Sequence, residues 1–160
     1  MIIGAGAIGC LVGARLALVG QQVTLVGRPA VVAAVQARGL TLRQGTETKT
    51  ASEIAAAPSV AAALSHAAGF DLAILTVKAY DTAAVLAELA PWRPQLPPLL
   101  TLQNGVGNEE RLAAVLGAHR VMAGAITAPV TVVAPGVIEV ARRGRVALAA
   151  LDPQAPAFPP

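Results

Sequence analysis

The sequence predicts an α/β domain with a doubly wound, mainly parallel sheet, helices on both faces and extra antiparallel strands at its C-terminal end. Three observations carry that expectation. Short aliphatic runs alternate with alanine-rich stretches along most of the 160 residues, the pattern of a parallel sheet with right-handed crossovers. The composition is 55% hydrophobic but only 13% charged and 2% aromatic, so the apolar part is mostly Ala, Val, Leu and Ile. That mixture suits strands buried on both faces. Finally, a glycine-dense stretch, "GAGAIG", lies between the first aliphatic run and the first helical one. The length is that of one domain with a real core.

The elements follow in order. A short strand, Met1 to Ile3, leads through Gly4-Ala5-Gly6 into a helix from about Ile8 to Val19. "QVTLVG" reads as the second strand and "AVVAAVQARG" as the next helix, stopped by Gly39 as a C-cap. "LTLRQG" and "TETKTA" alternate polar and apolar residues and predict a small hairpin. "SVAAALSHAAG" reads as helix, "DLAILTV" as a buried strand, and "DTAAVLAELAPW" as a helix with Asp81 at its N-cap. "PPLLTLQNG" is a further strand. "NEERLAAVLG" is a helix with acids in its first turn, where the dipole favours them, and Gly117 at its stop. After Met122 the helical patterning ends. Two or three strands, partly antiparallel, are expected there, with turns at Pro135-Gly136 and Arg143-Gly144. Residues 1–150 thus form the expected domain, and residues 151–160, rich in proline, a linker or tail.

Several function classes fall away. The net charge of +3 comes from ten Arg and two Lys, scattered except for Arg142, Arg143 and Arg145, against nine acids. With aromatics this scarce there is no stacking platform for single-stranded nucleic acid, and no nucleic-acid partner is expected. Cys10 is the single cysteine, which excludes an internal disulfide and fits a reducing cytoplasm. His66 and His119 lie far apart, and no metal site is expected. Residues 1 to 20 are apolar, yet a membrane span needs ~20 apolar residues and Arg15 would sit deep within it. No basic region precedes the apolar stretch, as a secretion signal requires. No membrane partner is expected either.

Gly4-Ala5-Gly6-Ala7-Ile8-Gly9 is Gly-x-Gly-x-x-Gly, placed after a strand and opening a helix. The first glycine makes the tight turn and the second lets a pyrophosphate approach the backbone. The third allows close helix–strand packing, and free N–H groups at the helix start bind the phosphates. The motif alone is weak evidence, but its required context is present on both sides. Residues 1–150 therefore read as a Rossmann-type dinucleotide-binding domain. NAD-binding versions carry Asp or Glu at the end of the second strand, about 20 residues past the loop. Here the strand ends in Gly27-Arg28. A carboxylate repels a 2′-phosphate whereas a guanidinium binds it bidentately, so NADP(H) is expected over NAD(H).

Ligands of open α/β sheets sit beyond the carboxyl ends of the strands. Two more polar clusters fall there, Thr76-Val77-Lys78 and Gln103-Asn104-Gly105. Singly each is as readily a solvated lysine or an Asn-Gly turn; together, at equivalent strand ends, they favour gripping a cofactor's sugar or a substrate. Cys10 lies on the first turn of the loop helix, where a dipole can lower a thiol pKa. A small packing residue is the preferred reading. Arg15 and Glu88 read as solvated helix faces.

Four elements in this order, "GAGAIG", Gly-Arg at the end of strand two, "TVKAYDT" and "QNGVGNEE", resemble the ketopantoate reductase (2-dehydropantoate 2-reductase) family. The likeness runs nearly the whole chain, through the "APGVIE" turn. It implies NADPH-dependent reduction of 2-dehydropantoate to pantoate, a step toward pantothenate and coenzyme A. By resemblance Gly4, Gly6, Ala7, Ile8 and Gly9 line the dinucleotide and Arg28 holds the 2′-phosphate. Lys78 and Asn104 lie near the nicotinamide ribose and the substrate, as cofactor-binding and catalytic residues. Members of that family are about twice as long. Their second, helical domain supplies the lysine that protonates the nascent alkoxide, groups that grip the substrate, and a dimerisation surface. Their first strand also begins a few residues earlier. The resemblance therefore implies the cofactor half of such an enzyme, one that binds NADPH but reduces 2-dehydropantoate negligibly. An apolar surface left where the helical domain docks could drive homo-oligomerisation. A dehydrogenase of another 2-keto or 2-hydroxy acid, and a non-catalytic NADP(H)-sensing domain, stay open as alternatives.

Overall fold

The computed structural model describes residues 1–66 and 69–152. Its order is β1 (Ile2–Ile3), α1 (Ala7–Leu18), β2 (Val23–Val26), α2 (Pro29–Arg38), β3 (Leu40–Gln44), β4 (Glu47–Ala51), β5 (Ile54–Ala57) and α3 (Val60–His66). Then come β6 (Ala73–Leu75), α4 (Thr82–Leu89), β7 (Leu99–Thr101), α5 (Asn108–Leu116), β8 (Val121–Ile126), β9 (Val130–Ala134), β10 (Val137–Val140) and β11 (Val146–Ala150). Short 3-10 turns cover Ala79–Asp81, Ala90–Gln95 and Ala118–Arg120.

Seven strands form the main sheet in the order β11-β8-β7-β6-β1-β2-β5. All neighbours pair in parallel except β11, which runs antiparallel to β8. Successive residues of the central strands face opposite sides, as pleating requires. Ile3, Val26, Leu75 and Leu99 pack with Val60, Leu89, Leu112 and Leu116, from α3, α4 and α5. Ile2, Leu25, Ile74 and Leu100 pack with Leu11, Ala14 and Val35, from α1 and α2. Two helical layers thus sandwich the sheet, and its middle strands are aliphatic throughout because neither face meets water. The chain order reverses between β1 and β6, which is the switch point where such sheets bind ligands.

A second sheet, β4-β3-β10-β9, covers the outer side of α1. The expected hairpin is its β3–β4 pair, with Leu40 opposite Ala51 and Gln44 opposite Glu47. The turn at Pro135-Gly136 joins antiparallel β9 and β10. β10 also pairs in parallel with β3, a contact no local pattern announces.

Other expectations need correction. Four strands, not two or three, follow α5, and the first starts at Val121. Arg143-Gly144 is not a hairpin turn: it lies on the crossing from β10 in one sheet to β11 in the other. There a Cβ on Gly144 would come within 2.7 Å of Ala128. β5 is a further strand that its sequence does not announce, because "IAAA" carries one β-branched residue and no alternation. α4 stops at Leu89, and the segment bearing Pro91 and Pro94 continues only as a 3-10 turn. Asp81 precedes α4, but its backbone is already helical and its side chain caps nothing. Glu88 is not simply a solvated face residue, since its Oε1 accepts the Val60 N–H at 2.7 Å, at the start of α3. The expected linker from residue 153 onward, and residues 67 and 68 of the third expected helix, lie outside the described residues. No helix among the described residues is long and apolar enough to cross a membrane; α1, in the apolar opening stretch, has 12 residues.

Candidate dinucleotide site

Four loops meet at the carboxyl edge of the main sheet. Ile3 pairs with both Val26 and Leu75, and Leu75 with Thr101. Gly6, Lys78 and Asn104 each stand three residues beyond a member of that row, and Arg28 two beyond Val26. The strand register therefore brings the sequence-predicted residues to one edge.

The glycine loop is shaped by what its positions exclude. Gly4 has φ +112°, a conformation that side-chain-bearing residues rarely adopt, and a Cβ there would approach Val77 N at 2.8 Å. At Gly9 a Cβ would run into the Gly4 carbonyl oxygen and lie 2.6 Å from Thr76 Oγ1, so α1 packs directly on the loop. A Cβ at Gly6, by contrast, would meet nothing within 4 Å. The first hydrogen bond into the helix runs from Cys10 N–H to the Gly6 carbonyl at 2.9 Å, so the N–H groups of Ala7, Ile8 and Gly9 precede it. α1 has no side-chain cap and no acid in its first turn, whereas α5 carries Glu109 and Glu110 there. Open space above Gly6 and an uncapped, acid-free helix start fit an anionic pyrophosphate.

Two further features lock this loop to the sheet. The Gly4 N–H donates to the Val26 carbonyl at 3.0 Å. The Thr76 hydroxyl lies 2.7 Å from the Gly4 carbonyl and 3.2 Å from that of Ile3. Gly27 is required for a different reason, since a Cβ there would collide with the Ala5 methyl. Contact between Gly27 and Ala5 sets Arg28 beside the glycine loop. Arg28 is exposed and serves as the N-cap of α2 with Pro29 following, and α2 has no acid in its first turn.

Lys78 and Asn104 are both exposed, in the loops that follow β6 and β7. Beneath them lies a buried polar knot. Gln103, 6% exposed, donates from Nε2 to the Val77 carbonyl at 3.0 Å and to Thr82 Oγ1 at 2.8 Å. Its Oε1 accepts from the Thr101 hydroxyl at 3.2 Å. Asn108, 2% exposed, donates to the Asn104 carbonyl at 3.2 Å. Every buried side-chain polar atom among the described residues has a partner.

This edge can be compared with known proteins. The family model described as "Ketopantoate reductase PanE/ApbA" matches residues 1–153. The chain belongs to that family. A ketopantoate reductase relative, the 2-dehydropantoate 2-reductase of Pyrococcus horikoshii, is 38% identical over 148 residues, covering 89% of this chain and 44% of the relative. The crystal structure of 2-dehydropantoate 2-reductase from Methylococcus capsulatus is 30% identical, with TM-score 0.77 over 92% of this chain and 46% of that one. The PanE/ApbA family ketopantoate reductase from Ralstonia eutropha is also 30% identical, with TM-score 0.79 over 92% of this chain and 49% of that one. The chain spans about half the length of the ketopantoate reductases it matches.

Within this ketopantoate reductase domain, Thr76, Gln103 and Gly27, which the sequence places in the strand-end clusters without separate roles, and Asn108, which it does not set apart, all prove structural. In sequence Gln103 is only the neighbour of Asn104; its burial is what sets it apart. Cys10 is a packing residue: burial pushes its thiol up to about 11, and its Sγ lies 3.4 Å from the Ala5 carbonyl, to which the S–H is directed. Arg15 is exposed and donates to Gln44 Oε1 at 3.1 Å. Among the described residues no three His, Cys, Asp or Glu side chains cluster in a way that could hold a metal ion.

Proposed function

We propose that this chain is the cofactor-binding part of an NADPH-dependent ketopantoate reductase, which converts 2-dehydropantoate to pantoate on the route to pantothenate and coenzyme A. The observation that carries the reading is the cradle at Gly6, open above the backbone at an uncapped helix start, with Arg28 set beside it through the Gly27–Ala5 contact. Ala7, Ile8 and Gly9 present N–H groups to the pyrophosphate, and Gly4 and Gly6 let it approach. Arg28 pairs with the 2′-phosphate as a bidentate donor, a role for which an NAD site would offer a carboxylate. When bound, the reduced nicotinamide supplies the hydride that reduces the 2-keto group of a small keto acid. Asn104 offers a carboxamide donor and acceptor to the nicotinamide ribose. Lys78 offers an ammonium to the ribose hydroxyls or the substrate's carboxylate.

Reduction of a ketone also needs an acid for the nascent alkoxide and a cation for the carboxylate. Lys78 cannot readily serve both, so the 160-residue chain binds NADPH without appreciable turnover of 2-dehydropantoate. An assay with both at saturation checks this, and a rate on the order of 10 s⁻¹, ordinary for enzymes, would refute it.

The test of the cofactor reading is a fluorescence titration with NADPH and, separately, NADH at fixed ionic strength. NADPH is expected to bind more tightly. Arg28→Asp removes a charge-assisted contact and should cost NADPH roughly ten- to a hundredfold in affinity while leaving NADH little changed. Equal, weak binding of both would make Arg28 an ordinary surface charge.

A further inference from the structure

Gln103 joins the two loops that carry Lys78 and Asn104. Val77, whose carbonyl accepts its first N–H, immediately precedes Lys78. Thr82, whose hydroxyl lies 2.8 Å from the same nitrogen, closes the turn that follows Lys78. The Gln103 amide therefore brackets the Lys78 loop on both sides, while its own backbone leads into Asn104. Thr82 and Thr101 are fully buried, so the carboxamide has no water to turn to. With both N–H groups donated and Oε1 accepting from Thr101, its orientation is fixed. An apolar side chain of similar volume would fill the space without the cost of burying an amide. What it would not do is hold one loop against the other.

We infer that Gln103 is a positioning residue for the nicotinamide side of the site, its carboxamide setting Lys78 relative to Asn104. The inference rests on the cofactor reading above. It predicts a division between the two halves of the ligand. The adenine-side phosphates would touch the glycine loop, held by Thr76 and Val26, and Arg28, placed by the packing of Gly27 on Ala5; none of these bonds involves Gln103.

The experiment titrates the parent chain, Gln103→Met and Thr82→Val with NADPH and with adenosine 2′,5′-bisphosphate, which lacks the nicotinamide ribose. Gln103→Met should weaken NADPH about tenfold and leave the bisphosphate unchanged. Thr82→Val, which removes one of the two acceptors, should shift NADPH the same way by less, and it carries the test if Gln103→Met does not fold. Equal losses for both ligands would mean general loosening, and an undiminished NADPH affinity would mean no coupling; either overturns the inference. Backbone amide spectra of the same variants supply a ligand-free readout. Lys78 and Asn104 should move together while Gly4 to Gly9 stay in place; an unmoved Lys78 overturns the inference as well. If the parent chain binds neither ligand, the cofactor reading fails, and the amide spectra alone then decide whether Gln103 couples the two loops.

Discussion

An alanine methyl at position 6 would meet nothing within 4 Å, whereas one at position 9 would collide with the Gly4 carbonyl and crowd Thr76. The two glycines therefore answer to different demands, although the motif treats them alike. Gly9 is fixed by folding: Gly9→Ala must push α1 off its loop, at a cost of roughly 1–3 kcal/mol or more. Gly6 is under no such packing demand: Gly6→Ala should leave the melting temperature near that of the parent and, on the proposed cofactor reading, weaken NADPH strongly, because the methyl would take space that reading gives to a phosphate. Thermal melts and NADPH titrations of the two variants check the contrast. Comparable destabilisation by both would remove the argument that the space above Gly6 is kept for an anion. Cys10, one residue past Gly9, shows how local environment overrides position. The helix dipole that could activate a thiol is outweighed by burial beneath the loop, which raises the pKa instead.

At the scale of elements, the legible parts were those whose signal is local. α1, α2 and α5 have bounds close to the sequence reading, and Gly39 and Gly117 both end helices with positive φ, at 69° and 94°. The loop glycines, Arg28, Lys78 and Asn104 can be placed at one sheet edge from sequence because strand, turn and helix signals flank them. The hidden parts depend on distant partners. β5 is a strand because its backbone meets β2, with Ile54 opposite Val23, not because its alanines favour extension. β10 joins β3 through a parallel register, Ile138 to Leu42, that neither segment specifies alone. The structural roles of Thr76, Gln103 and Asn108 are hidden for the same reason. A polar residue at a strand end looks the same in sequence whether it faces solvent or is sealed under a loop.

At the scale of the whole molecule, a free amine at Met1 is expected to make the folding of the 160-residue chain sensitive to pH. Met1 is buried, its ammonium donates to the Leu72 carbonyl at 2.7 Å, and desolvation lowers its pKa from 8.0 to about 6, opposed by Asp71. Between those values the unfolded chain binds the proton that the folded chain releases. Stability should therefore rise with pH from about 6 to 8, by as much as about 3 kcal/mol, and level off above that. Chemical denaturation across pH 5.5–8.5 (roughly the window these pKa values span) measures the slope, and acetylating the amine should abolish it. A flat profile in the unmodified chain would show the amine to be solvated.

The parallel seam between β3 and β10 also sets a timetable for a chain emerging from the ribosome. Thr41 waits for Val137, roughly a hundred residues later, before the outer side of α1 is roofed. At about 5–20 residues per second that interval lasts some seconds, during which Leu11 and Leu42 lack their final cover. A pause in synthesis before residue 137 would therefore leave α1, made among the first elements, open on that side until β10 arrives.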